Sequence, residues 1–290
     1  MIETAASKSF TVRRAFPEAK RISPLVWLNL VCLDAPLVAV TWQMLFARSF
    51  GVAVAPGGTL ALFLTAWLIY LADRFGDSLS LGKEMGMSLR QEFCLRHRFV
   101  WLGAIVVVAL ADTAVVLTQL DRSAVRLGAG VAAAALCYLL VNRLRPALWR
   151  ILPLKEISIG FIFAAGTMVG LSRGLTSAVL PAWLLFACLC ALNCISIAIW
   201  ERELDQAQGR ISIATEFPAI AAALIPLLGL LGLTSAAALL AWPHGIFIAL
   251  IASSVLLALV HVLRARIRRD VRTALADLVL LAPLVVLVFA

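Results

Sequence analysis

Asp73-Arg74-Phe75-Gly76-Asp77 and Glu201-Arg202-Glu203-Leu204-Asp205 follow one pattern, acid-Arg-x-x-acid, and each stands where a long apolar run ends. Residues four apart share a helix face, so Asp73 lies beside Asp77 and Glu201 beside Asp205. Like charges at that spacing repel, and a divalent cation removes the penalty. Mg²⁺ prefers carboxylate oxygens and completes its shell with water or phosphate. Two acid pairs facing one another across a cavity would therefore clamp a diphosphate, with Arg74 and Arg202 placed to bind its oxygens. The plainer alternative is that charged helix ends are common at a membrane surface and that acid-x-x-x-acid arises by chance. Repetition with the same internal arginine favours a metal site.

The surrounding sequence sets the fold. The chain has 290 residues, 63% hydrophobic and 14% charged. Soluble domains carry about 45–50% apolar and about 25% charged residues, so this composition excludes an ordinary soluble domain. Apolar runs fall near 25–46, 52–72, 99–120, 127–141, 157–172, 178–199, 217–238, 244–263 and 273–290. They are unbroken and lack the period-two alternation of a β-barrel, and lipid cannot satisfy open backbone groups. The fold expected is all-α, a polytopic membrane helical bundle with about nine transmembrane helices. Residues 1–24 form a cytoplasmic N-terminal segment and 25–290 one nine-helix domain. The first apolar run is too long for a signal-peptide core and reads as a retained span.

Basic residues give the orientation. Segments 1–24, 73–98, 142–156, 200–216 and 264–272 carry 21 of the 25 Lys and Arg residues, which places them and the N-terminus in the cytoplasm. Both acid motifs then open cytoplasmic segments on one membrane face. Small residues in two runs, Ala132 to Ala135 and Gly160, Ala164, Ala165 and Gly166, predict close helix contacts. Pro36, Pro218, Pro226 and Pro283 predict kinks.

Polar residues inside apolar runs are functional candidates, because lipid exposure is expensive. Asn29 is expected near the acceptor or a metal-bound water, and Asn193, two turns before Glu201, on the same cavity-facing side. Helix–helix hydrogen bonding explains both equally well. Asp112 has no evident partner, and Asp277 is expected to pair with Arg272 or Arg269. The six cysteines read as small buried hydrophobes, since Cys188-x-Cys190-x-x-x-Cys194 lacks zinc-site spacing. His97, His244 and His261 have no ligand spacing and read as surface or interfacial groups. The arginines between 264 and 272 read as contacts to anionic lipid headgroups, not nucleic acid.

The chain resembles the UbiA superfamily of intramembrane aromatic prenyltransferases. That family has about nine helices and a signature near Asn-Asp-x-x-Asp-Arg-x-x-Asp after the second. Ile69-Tyr70-Leu71-Ala72-Asp73-Arg74-Phe75-Gly76-Asp77 matches its last two acids and its Arg, with Ile69 and Tyr70 replacing the leading Asn and Asp. The second signature, Asp-x-x-x-Asp after the sixth helix, is matched by Glu201 and Asp205. Lys155 stands where the family often has a Lys. An Arg-rich segment usual after the first signature is absent from Ser78 to Gly86, where Lys83 stands, and Arg90, Arg96 and Arg98 follow at other spacings.

The resemblance implies transfer of a prenyl group from a polyprenyl diphosphate to an aromatic or lipid acceptor, in an integral protein of a bacterial inner membrane. Mg²⁺ would be held by the catalytic set Asp73, Asp77, Glu201 and Asp205. Asn29, Tyr70, Arg74, Lys155, Asn193 and Arg202 would bind substrate, with Tyr138, Trp67 and Phe163 candidates for lining the cavity. Partners are the two substrates and membrane lipids, with no nucleic acid and no protein partner inferred. The alternatives are a non-enzymatic membrane transporter and an inactive prenyltransferase homologue.

Overall fold

The computed structural model describes residues 23–79, 87–151, 154–242 and 245–289. Residues 1–22 of the expected cytoplasmic segment, together with Lys83 and His244, lie outside the described residues. Among the described residues every element is helical: α1 (Pro24–Leu30), α2 (Asp34–Phe50), α3 (Gly58–Leu79), α4 (Leu89–Arg96), α5 (Arg98–Gln119), α6 (Arg122–Leu144), α7 (Leu148–Ile151), α8 (Lys155–Met168), α9 (Leu180–Ala207), α10 (Ile213–Glu216), α11 (Ile220–Ala241), α12 (Gly245–Val262), α13 (Arg269–Val279) and α14 (Pro283–Phe289).

Seven described helices are long and apolar enough to cross a membrane: α3, α5, α6, α9, α11, α12 and the joined pair α13–α14. An eighth counts if α1 and α2, bent by 92° from one another, form one span. The protein is thus an all-helical bundle of membrane-protein character. The fifth expected run is shorter than its apolar length suggests. It gives the 14-residue α8 and one 3₁₀ turn at Val169–Leu171. At 1.5 Å per residue α8 reaches roughly 21 Å, less than the ~30 Å hydrocarbon core.

Proline explains the two interruptions. Pro36 has no N–H to offer Cys32, and its ring crowds that carbonyl, so no straight helix runs from α1 into α2. Cys32 turns the chain with φ 58°, and Asp34 Oδ1 accepts the Ala35 N–H at 3.0 Å. Pro283 likewise leaves Val279 and Leu280 without ordinary helical partners. Ser253 Oγ donates to Val279 O at 3.2 Å and Trp42 Nε1 to Leu280 O at 2.8 Å. Pro226, by contrast, sits inside α11, which continues through it.

The main core joins α2, α8, α9, α11, α12 and α13 around Trp42, Phe46, Phe186, Phe247 and Leu250, all buried. Trp42 stacks on Phe186 with ring centroids 4.2 Å apart. Helices α8 and α9 touch backbone to backbone at Gly160, where an added Cβ would lie 2.7 Å from Ala191 Cα. The small residues of the fifth run therefore pack as expected. Those of the fourth do not: Ala135 is buried, while Ala132, Ala133 and Ala134 are exposed. In lipid an exposed alanine costs little, so a small-residue run alone does not fix an interface.

A second cluster, around Cys32, Leu71, Cys94, Trp101 and Val108, ties α3 to α4 and α5. Trp101 Nε1 donates to Leu71 O and Trp67 Nε1 to Val31 O, each at 3.0 Å. The cysteine reading needs correction at two sites, because Cys137 and Cys188 are exposed. Cys94, in a polar stretch, is buried.

Candidate functional site

The two acid motifs meet. Asp73 and Asp77, at the C-terminal end of α3, and Glu201 and Asp205, at the C-terminal end of α9, line one cavity of about 310 Å³. The helix ends converge because α8 lies against α9 through Gly160 and because α3 packs on α2. Lys155 and Glu156, at the start of α8, stand at the same polar end of the cavity. Farther along the same helices the lining turns apolar, with Leu62 and Ala66 from α3, Ile159 and Phe163 from α8, and Ala135 and Leu139 from α6. The volume falls within the range of ordinary small-molecule sites, about 300–1,000 Å³.

Nine charged side chains line the cavity: the acids Asp73, Asp77, Glu156, Glu201 and Asp205, and the bases Arg74, Arg90, Lys155 and Arg210. Arg90 makes an ion pair with Glu201 Oε2, and Thr273 Oγ1 donates to Glu201 Oε1 at 3.3 Å. Arg210 Nη1 pairs with Asp77 Oδ2 at 2.8 Å, and its Nη2 donates to Asp77 O at 3.1 Å. Lys155 Nζ donates to Ile211 O at 3.0 Å. The buried Arg74 Nη1 has no hydrogen-bond partner among the described residues.

The segment between α9 and α10 is pinned over this end. Gln91 and Gln208 exchange amide hydrogen bonds of 3.2 and 3.1 Å. Glu156 Oε1 accepts the Ile213 N–H at 3.0 Å, while Glu156 Oε2, also buried, has no donor. This strap carries Arg210 to Asp77. Arg90 was noted in the sequence only as a base at the wrong spacing, and Arg210 and Glu156 were missed. The available signal for Arg210 was that segment 200–216 holds just two basic residues.

Of the expected substrate-binding residues, Tyr70, Arg74 and Lys155 line the cavity, and Asn29, Asn193 and Arg202 are not among its lining. Tyr138 and Phe163 line it, and Trp67 does not, its indole N–H being held by Val31 O. Asp112 has a partner after all, accepting from Thr65 Oγ1 at 2.8 Å. Asp277 binds neither Arg269 nor Arg272. It accepts from Asn193 Nδ2 at 3.0 Å and Asn29 Nδ2 at 3.3 Å. Arg272 turns instead to the carbonyls of Arg264 and Trp200, and His261 is buried, accepting from Trp200 Nε1 at 3.0 Å.

Among the described residues no three His, Cys, Asp or Glu side chains are grouped closely enough to hold a metal ion. The acids come instead as separated pairs around a space. Pairs suit Mg²⁺ shared with a phosphate, since that ion is ordinarily held by one or two carboxylates plus substrate oxygens. The unpartnered Arg74 Nη1 in the same wall suits an anionic ligand. Compared with protein-family models, curated proteins and solved structures, the chain matches none.

Proposed function

We propose that this protein is a Mg²⁺-dependent intramembrane prenyltransferase of the UbiA kind, moving a prenyl group from a polyprenyl diphosphate to an aromatic or lipid acceptor. The observation that carries this reading is one cavity lined by both acid-Arg-x-x-acid segments at its polar end and by aliphatic side chains along the rest. A diphosphate fits the first part and an isoprenoid chain the second. The finer topology belongs with this reading: nine spans, counting α8 and the bent α1–α2, with the N-terminus and the polar end of the cavity at the cytoplasmic face of a bacterial inner membrane.

Asp73, Asp77, Glu201 and Asp205 would hold Mg²⁺, which supplies positive charge to the diphosphate as its negative charge grows. Arg74 donates to phosphate oxygens. Arg90, Arg210 and Lys155 turn from their present protein acceptors to the same oxygens, freeing Glu201 and Asp77. The apolar walls exclude water from the allylic carbon, and the acceptor then bonds to that carbon and gives up a proton. Tyr70 borders the same cavity from α3.

Calorimetry on the detergent-solubilised protein tests the reading. Farnesyl or geranylgeranyl diphosphate is expected to bind with Mg²⁺ and at least tenfold more weakly with EDTA. No binding under either condition overturns it. The ion pairs Arg90–Glu201 and Arg210–Asp77 favour a second reading, an inactive homologue whose acids are permanently neutralised by arginine. Binding of the lipid diphosphate with no Mg²⁺ dependence and no diphosphate release would select that one.

A further inference from the structure

The apolar end of the cavity has a floor. Farthest from the acids along their own helices, the lining reaches Leu62 on α3 and Gly166 on α8. Ala39 of α2 borders the cavity too and packs with Leu62, Ala66 and Phe163. Within one turn beyond these residues the three helices close on a hydrogen-bonded layer. Gln43, fully buried, stands one turn past Ala39. Its Nε2 donates to Thr167 O at 3.5 Å, and its Oε1 accepts from Thr59 Oγ1 at 2.9 Å. In the same layer α3 and the end of α8 meet through glycines: a Cβ added to Gly58 would lie 3.1 Å from Gly170 Cα, and Ala55 N donates to Gly170 O at 2.8 Å. Gln43, Thr59, Thr167 and Gly170 are not among the cavity lining. A hydrocarbon tail offers no substitute for these hydrogen bonds, so pushing Gln43 aside would leave a buried amide unsatisfied.

The depth above this floor can be measured along the helices. Eleven residues separate Leu62 from Asp73 on α3, and eleven separate Gly166 from Lys155 on α8. At 1.5 Å per residue each is about 16 Å. An extended chain spans roughly 1.2 Å per bond, so an isoprene unit, with four bonds along the chain, needs about 5 Å. Three units fit between the acids and the floor, and a fourth would pass the level of Gln43.

Resting on the prenyltransfer reading, we propose that the Gln43–Thr59–Thr167 layer sets the length of the donor, and that farnesyl diphosphate is the longest donor the cavity encloses whole. A longer tail has to fold back or leave between helices, and loses wall contacts in either case. Gly166 makes room for the third unit: a Cβ there would meet only Leu62 Cδ1, at 3.8 Å, across the cavity.

Calorimetry on the full chain in detergent with Mg²⁺, using geranyl, farnesyl, geranylgeranyl and solanesyl diphosphates, tests this. Partition of each lipid into detergent is the same for every variant, so differences between variants report the cavity. Farnesyl diphosphate is expected to bind tightest to the unmodified protein. Gly166→Val fills the place of the third unit and should weaken farnesyl at least roughly tenfold more than geranyl diphosphate, the loss expected when a few methylenes are displaced. Leu62→Ala deepens the cavity and should move the preference toward geranylgeranyl diphosphate. Gly103→Val on α5, where an added Cβ meets nothing within 4 Å and which is outside the lining, should leave the order unchanged. Melting followed in parallel shows which variants fold. Solanesyl diphosphate bound by the unmodified protein as tightly as farnesyl overturns the proposal, as do equal losses for geranyl and farnesyl in folded Gly166→Val. Binding that ignores chain length sinks this proposal alone, and no binding of any of the four donors sinks the prenyltransfer reading and this proposal with it.

Discussion

Helices α6 and α9 supply two walls of the same cavity, and they are held in different ways. Within its most apolar stretch α9 is 61% buried, and α6 is 11% buried. Helix α9 packs against α8, α11, α12 and α13, with Phe186, Ala187 and Leu189 fully enclosed. Helix α6 buries Ala124 and Ala135 and exposes Leu127, Leu136, Leu140 and Leu144. Both read as apolar, because lipid and protein interior reward the same side chains. What separates them is shape: Gly160 lets α8 meet the α9 backbone, whereas on α6 Gly128 meets only the Val169 side chain and Gly130 meets nothing. One wall is packed on several neighbours and carries acids; the other is an apolar face that buries few of its side chains.

The largest effect expected falls on the packed wall and its partner α3. Asp77→Asn and Asp205→Asn should each lower prenyl transfer by roughly 10²–10³-fold, the usual loss when charge stabilisation of a departing group is removed, with melting nearly unchanged. The double variant should be no worse than either alone by more than a small factor, since in the proposed reaction both acids would serve one metal–diphosphate unit. Assays against a panel of prenyl lengths and acceptors check this, and full activity in both single variants would break the comparison at its functional root.

Next come two glycines read against each other. Gly160→Ala places a Cβ 2.7 Å from Ala191 Cα, and backbone cannot yield as a side-chain tip can. It should destabilise the bundle by about 1–3 kcal/mol. Gly130→Ala on α6 meets nothing within 4 Å, so it should be neutral or stabilise by up to about 1 kcal/mol through helix propensity. Thermal unfolding in detergent separates them, and equal shifts would show that the two walls are packed alike.

The smallest effect concerns how α6 is held with few neighbours. Asp121 caps it, accepting from Ser123 N at 2.8 Å and Ala124 N at 3.0 Å, and pairs with Arg173 at 2.9 Å. The Ala124 N–H leads in holding its carboxyl below the usual range, helped by Ser123 and Arg173. A depressed carboxyl pKa stabilises the fold above the unfolded-state value and loses that contribution as pH falls through the folded-state value. Asp121→Ala should therefore lower the melting temperature slightly at neutral pH, and the gap to the unmodified protein should close in acid.

The amino-acid sequence alone determined the helical class, the apolar spans and the pairing of acids within each motif. Those follow from local rules, the length of an apolar run and the 3.6-residue repeat, which act between residues close in the chain. Tertiary structure decided which charges answer one another. Arg90 reaches Glu201, Arg210 reaches Asp77, and Asn29, which also holds Asp34, reaches Asp277 across a separation of 248 residues. A side chain's nearest opposite charge in space depends on how helices cross, and spacing carries no record of it. The same holds for the break after α1: Pro36 marks where the helix is weak, but the packing of α13 against α1 and α2 fixes where Asp34 then points.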